Sequence, residues 1–301
     1  MEDERVVAEG LRFPEGPVVL PDGTLLVCEM AAGFVTRVDV DTGTTERIVD
    51  TGGGANGAAL GPDGALYVCN NGGWPMVEVG SLLVPADVNQ GDDYLGGSIQ
   101  RVDLSTGAVD TLYDGLRSPN DIVFDADGGL WFTDYGKQRA LDEDRGAVYY
   151  GTTDGAPLVQ AAHELLRPNG IGLSPDGGTL YVAETPTGRL WAWDIVGPGE
   201  LTKALPFGNG GRLVVGVGGL QYFDSLAVEA DGRICVGTIV NAGITVVTPD
   251  GADVEHVRMP DPLPANLCFA GDDMRTAYVT LSTTGRVLEC RWPRPGLRLA
   301  W

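Results

Sequence analysis

Short runs of alternating apolar and polar residues, separated by turn-forming residues, fill the chain, and no competing stretch has the 3.6-residue rhythm of an amphipathic helix. One unit recurs: a polar residue, an apolar run, a turn carrying Asp, and a second apolar run. The copies are EGPVVLPDGTLLVCE from Glu15, NGAALGPDGALYVCN from Asn56, NDIVFDADGGLWFTD from Asn120, NGIGLSPDGGTLYVAE from Asn169, DSLAVEADGRICVGT from Asp224 and NLCFAGDDMRTAYVT from Asn266. Seven residues after each opening residue stands an Asp: Asp22, Asp63, Asp127, Asp176, Asp231 and Asp273, and Gly follows all but the last. Asp-Gly between alternating apolar runs is a strong hairpin signal, so each copy is expected to be a β-hairpin.

A second strand pair is expected after each hairpin, over residues 33–50, 97–114, 146–162, 188–205, 243–259 and 285–301. Six in-register units of four antiparallel strands predict an all-β fold, a six-bladed β-propeller forming one domain over residues 1–301. The N-terminal stretch around Arg5–Leu11 is expected to close the ring against the last blade. Residues 71–96 interrupt the second unit just after its hairpin and should lie over one face of the disc.

In a propeller the first strand of each blade lines the central tunnel. The opening residues Glu15, Asn56, Asn120, Asn169, Asp224 and Asn266 therefore fall on one rim as a ring. The hairpins bring Glu29, Asn70, Asp134, Glu184, Thr238 and Thr280 back to the same end, which predicts a second lining of oxygen-bearing side chains. Oxygen donors without His or Cys suit hard cations, and the irregular, wide ring suits Ca²⁺ better than Mg²⁺, with Mn²⁺ a further choice. The two histidines, His163 and His256, lie outside the ring and are too few to favour a nucleophilic triad.

Composition narrows the partners. The 42 acidic residues against 20 basic ones, a net charge of −22, repel phosphate backbones and anionic lipid, so nucleic acid and membrane are not expected as partners. The five scattered cysteines, the lack of a signal-peptide pattern and the lack of a long apolar span predict free thiols and a cytoplasmic protein. Oligomeric state has no signature in the chain.

The segments FPEGPVVLPDG, SPNDIVFDADGGLWFTDYG, RPNGIGLSPDGGTLYVAET and FDSLAVEADGRICVGT make the chain resemble the senescence-marker-protein/gluconolactonase family, the regucalcin-like calcium-dependent lactonases. The resemblance spans essentially the whole sequence. It implies one divalent metal ion at the tunnel centre, Ca²⁺ first, with Mn²⁺, Mg²⁺, Fe²⁺ or Zn²⁺ as alternatives because family members differ. By motif, Glu15, Asn169 and Asp224 would be its ligands, with Asn120 touching metal or substrate. The implied reaction opens a small-molecule lactone to a hydroxy acid, with Asp224 as general base, or Asp134 or Glu184 in its place. Two departures stand out: Phe223-Asp224-Ser225 replaces the usual Pro-Asp-Gly, and Ser118 stands where sugar lactonases often carry Arg. With Trp74, Tyr135, Tyr222 and Phe223 near the rim, these point to a less polar substrate. Asn56, Asp134, Tyr135, Phe223 and Trp74 are the expected substrate-side groups. A phosphotriester or fluorophosphate hydrolase on the same metal, and a non-enzymatic binding propeller, are the competing readings.

Overall fold

A computed structural model describes residues 2–301. It is a six-bladed propeller. The innermost strands are Pro14–Val19, Ala55–Leu60, Pro119–Phe124, Pro168–Leu173, Tyr222–Val228 and Pro264–Ala270, and each abuts the next around a closed ring. From each, at least three further antiparallel strands run outward, as in blade one: Leu25–Glu29, Phe34–Val38 and Thr45–Asp50. Among the described residues no helix is long and apolar enough to cross a membrane. All five cysteines are free thiols.

Every inner strand is bulged near its start. Pairing with the second strand slips between Glu15 and Val18, Ala55 and Ala58, Pro119 and Ile122, Pro168 and Ile171, Phe223 and Leu226, and Pro264 and Leu267. A bulge re-aims side chains that regular alternation would send to opposite faces. The polar opening residue sits inside this slip in five blades and, as Glu15, at its edge in blade one.

Two expected strand pairs differ. In blade four the outer strand is Arg212–Gly216, not the stretch ending at residue 205. The Pro198-Gly199 turn returns the chain for only Glu200–Leu201, whereas Val214 and Val215 supply the β-branched residues that pack in the seam. In blade six, Arg286–Arg291 is the third strand and residues 292–301 do not return. Pro293 and Pro295 lack the N–H a ladder needs. Glu2–Ala8 fills the fourth place by pairing with Arg286–Arg291, three residues earlier than the expected 5–11 stretch.

The apolar core is divided into six seams, one between each pair of neighbouring blades. The closing seam packs Val7 and Ala8 against Leu25 and Val27 of blade one and Tyr278 and Val287 of blade six. Strand alternation places Val7 in this seam, 2% exposed, and its neighbour Val6 outside, 37% exposed. Val7→Asp should therefore cost about 3–5 kcal/mol by leaving an unpaired charge in the seam, and Val6→Asp less than about 1 kcal/mol. Denaturant unfolding of the two variants beside the parent measures the difference.

Candidate functional site

The bulges carry all six opening residues into the tunnel, where none exceeds 7% exposure. The inner strands approach so closely here that side chains must be absent in places. A Cβ on Gly57 would lie 2.5 Å from the carbonyl of Asn120, and one on Gly170 would lie 2.7 Å from the carbonyl of Asp224. In blades one, two and four glycine after the opening residue is thus a packing requirement.

Three carboxyl groups, not two, share the tunnel. Asp121, which the repeat register did not single out, accepts from the Ile122 and Ile171 amides, the Ser225 hydroxyl and the Leu226 amide, and so spans blades three, four and five. Its signal in the sequence is the offset just after the opening residue: the other blades place Gly16, Gly57, Gly170, Ser225 and Leu267 there, and blade three alone an acid. Burial pushes Asp121 up to about 7. Burial also pushes Asp224 up to about 7, opposed by a hydrogen bond from Asn169 and reinforced by the Asp121 charge. Glu15 is held well above the ordinary carboxylate range by burial, then by Asp224 and Asp121.

The carboxamides divide by role. Asn266 Oδ1 accepts from the Leu267 amide at 2.7 Å, and its carboxamide N–H donates to Glu15. Asn169 donates to the Thr185 hydroxyl at 3.2 Å and to Asp224. Asn56 Oδ1, Asn120 Oδ1 and Glu15 Oε2 are buried acceptors with no donor at all. Orphaned buried oxygens beside mutually repelling carboxyl groups are what a hard cation would satisfy. No group of three His, Cys, Asp or Glu side chains is placed as a metal set among the described residues. A cation here would therefore depend on the Asn oxygens as well as on carboxylates, and the orphaned atoms fit that requirement.

The second lining is corrected. Glu29 accepts from the Arg12 amide at 2.8 Å and from Thr36 and Arg47. Asn70 bonds the Gly54 and Gly72 amides and the Thr51 carbonyl, and Glu184 the Leu166 amide and Thr187. Asp134 accepts from the Arg117, Ser118 and Gly136 amides at 2.8, 2.7 and 3.2 Å. These side chains tie the crossover that enters each blade, as turn caps do. Thr238 and Thr280 likewise bond within their own blades. Both oxygens of Asp134 are thus committed to backbone amides, and those of Glu184 to the Leu166 amide and the Thr187 hydroxyl, so neither carboxylate has an oxygen without a donor. Phe223 is corrected too: its ring is fully buried in the seam with Tyr181, Ala183 and Leu226, on the opposite side of the strand from Asp224.

Trp74 and Tyr135 do meet, with ring centroids 5.3 Å apart. Tyr135 bonds Thr185, the partner of Asn169, and Arg167. Trp74 comes from residues 71–96, which cross the strand-opening face. A hairpin of Met76–Val79 and Leu82–Pro85 reaches blade six through Leu83 N–H to the Thr283 carbonyl, 2.9 Å, and packs with Trp74 on Phe13, Met30 and Leu263. The Trp74 indole N–H is buried without an acceptor. At the opposite, hairpin-turn end, a cavity of about 500 Å³ runs up to Asp121 and Asn266 and is bordered by residues 297–301.

A family model described as SMP-30/Gluconolactonase/LRE-like region matches residues 13–283. The diisopropyl-fluorophosphatase of Loligo vulgaris is 28% identical, with 96% of this chain and 92% of that protein covered. The gluconolactonase of Zymomonas mobilis is 25% identical over 92% of this chain and 78% of that one. The crystal structure of a calcium-binding protein, regucalcin, from Agrobacterium tumefaciens superposes with a TM-score of 0.75 at 18% identity, covering 99% of this chain and 98% of that one, which shows the shared fold.

The raised carboxyl groups set a pH dependence. Asp121 and Asp224 titrate near 3.8 when unfolded and near 7 when folded, so the folded chain binds more protons between those values. Their contribution to stability is whole below about pH 4 and is lost as pH rises through about 7. In the presence of chelator, thermal melts should fall from pH 5 to pH 8, and Asp121→Asn should flatten that slope.

Proposed function

The chain belongs to the SMP-30/gluconolactonase/LRE-like family, and from that premise we propose that it is a metal-dependent lactonase whose chemistry is done at the tunnel ring. The observation that carries the reading is the set of orphaned acceptors, Glu15 Oε2, Asn56 Oδ1 and Asn120 Oδ1, beside two further buried carboxyl groups. Glu15, Asn120, Asn169 and Asp224 would hold a divalent cation, Ca²⁺ first among the hard ions, with Asn56 on the substrate side of the ring. Such an ion would polarise a lactone carbonyl and make nearby water easier to deprotonate. A family relative named gluconolactonase supports the substrate class.

The residues divide the remaining work. Asp224 would accept a proton from the attacking water. The water oxygen bonds to the carbonyl carbon, the ring C–O bond breaks, and the proton passes to the leaving alkoxide, giving a hydroxy acid. Asn169 orients Asp224 through its carboxamide N–H. Trp74 and Tyr135 exclude bulk water and present apolar faces, which favours lactones with few hydroxyl groups.

A second reading has its own support. The diisopropyl-fluorophosphatase relative spans 96% of this chain, and the same ring could serve attack at phosphorus. The test is a panel of aliphatic, aromatic and sugar lactones beside a fluorophosphate, each with and without chelator and with metal analysis of the purified protein. The expected result is lactone turnover that stops with chelator and returns with Ca²⁺, and a fall of about 10²–10⁴-fold in kcat for Asp224→Asn. Fluorophosphate turnover alone would favour the second reading. No bound ion and no chelator-sensitive hydrolysis would favour a binding propeller.

A further inference from the structure

Lys137 is 1% exposed, on the loop that follows the second strand of blade three, and no step of the proposed reaction uses it. A buried ammonium is costly unless its donors are met. Here they are met by the chain that crosses the tunnel mouth. Its Nζ donates to the carbonyl of Gly73 at 3.1 Å and to that of Asn89 at 3.0 Å. These are the two legs of the 71–96 insertion, one beside Trp74 and one after the Met76–Pro85 hairpin. The same Nζ stands 4.4 Å from the Tyr94 ring centroid and 6.0 Å from that of Trp74. The backbone beside it is sewn to the insertion as well: Gln138 N–H donates to Asn89 Oδ1 at 2.6 Å, and Asn89 N–H to the Gln138 carbonyl at 3.1 Å.

The charged groups facing Lys137 are Asp134, at the end of the preceding strand, and Asp144, on the returning loop. Neither makes an ion pair with it. Asp134 is taken by backbone amides, and Asp144 is paired with Arg139 at 2.9 Å and lies 3.9 Å from Arg117. The ammonium thus serves the insertion and not a carboxylate. Burial pushes it down to about 8. At its far end the insertion rests on apolar contacts to Phe13, Met30 and Leu263, on one backbone hydrogen bond to Thr283 and on an exposed ion pair of Glu78 with Arg12 at 3.4 Å.

We propose that Lys137 is a positioning residue for substrate selection: it fastens both legs of the insertion to blade three, and so sets Trp74, with its unpaired indole N–H, over the ring. This rests on the lactonase reading for its substrate class, and adds that the covered mouth selects small, weakly hydroxylated lactones over bulkier polyhydroxylated ones. The indole N–H is then free for an oxygen of the bound ester. Because Lys137 touches none of the ring residues, its loss acts on binding and selectivity and leaves the chemical step intact.

Lys137→Met, Lys137→Arg, Trp74→Ala and the Lys137→Met/Trp74→Ala double variant test this in the full chain. Two readouts are taken: steady-state kinetics on a small aliphatic lactone and a sugar lactone, and the rate at which chymotrypsin cuts within residues 71–96. Lys137→Met is expected to raise KM for the small lactone about tenfold with kcat nearly unchanged, and to narrow its preference over the sugar lactone. Cleavage within the insertion should quicken, and Lys137→Arg should recover part of both effects. The double variant should be no worse than Trp74→Ala, since Lys137 acts through Trp74. Unchanged KM ratios and cleavage in Lys137→Met, or strictly additive losses in the double variant, would overturn the proposal. A matching fall in kcat and melting temperature on both substrates, unrelieved by Arg, would also overturn it, because that is general loss of fold. If the parent protein opens no lactone yet Lys137→Met exposes the insertion to protease, the lactonase reading fails while the fastening stands, and selection among lactones falls with the former.

Discussion

Glu15, Asp121 and Asp224 reach the tunnel from blades one, three and five, and what acts on them there is burial, hydrogen-bond donors and one another. Three buried acids oppose folding whenever they ionise. The surrounding structure is arranged to bear this. Six bulged inner strands bring the polar openings inward, glycines let neighbouring backbones close to contact, and amides from three blades converge on Asp121. The candidate site thus lies where the inner strands approach closely enough to require glycine, at Gly16, Gly57 and Gly170.

Outside the ring, repetition serves mechanical ends. The residue ending the second strand of blades one to four holds the crossover that enters its own blade, through Glu29, Asn70, Asp134 and Glu184. Such ties fix the height of each opening residue relative to its neighbours, because the crossover leads straight into the bulge. The apolar seams then lock blade to blade, and the Glu2–Ala8 strand completes the last blade from the far end of the chain.

The insertion at 71–96 breaks the repeat and covers what the repeat builds. Its apolar underside packs on residues next to the openings of blades one and six, and Lys137 holds it on blade three. The strand-opening end of the tunnel is thus crossed by a segment with no counterpart in the other five blades. In a chain whose relatives include a gluconolactonase and a diisopropyl-fluorophosphatase, such a segment is where one scaffold can separate its substrates.

Period and composition were enough to read the six blades, the hairpin turns and the ring of opening residues, because a strict repeat in sequence forces a strict repeat in space. The same reasoning overreached at Asp134 and Glu184. Their spacing gives an address at the correct end of the blade, but side-chain direction there is decided by which unpaired amides lie within reach. It likewise passed over Asp121, since alternation assigns neighbouring residues to opposite faces and only the bulge turns both Asn120 and Asp121 toward the tunnel. Phe223 followed alternation and went to the core. The closing strand at Glu2–Ala8, the outer strand at Arg212–Gly216 and the burial of Lys137 under the insertion were likewise settled by tertiary structure, where distant segments compete for the same edge and a charge is placed by the carbonyls that can meet it.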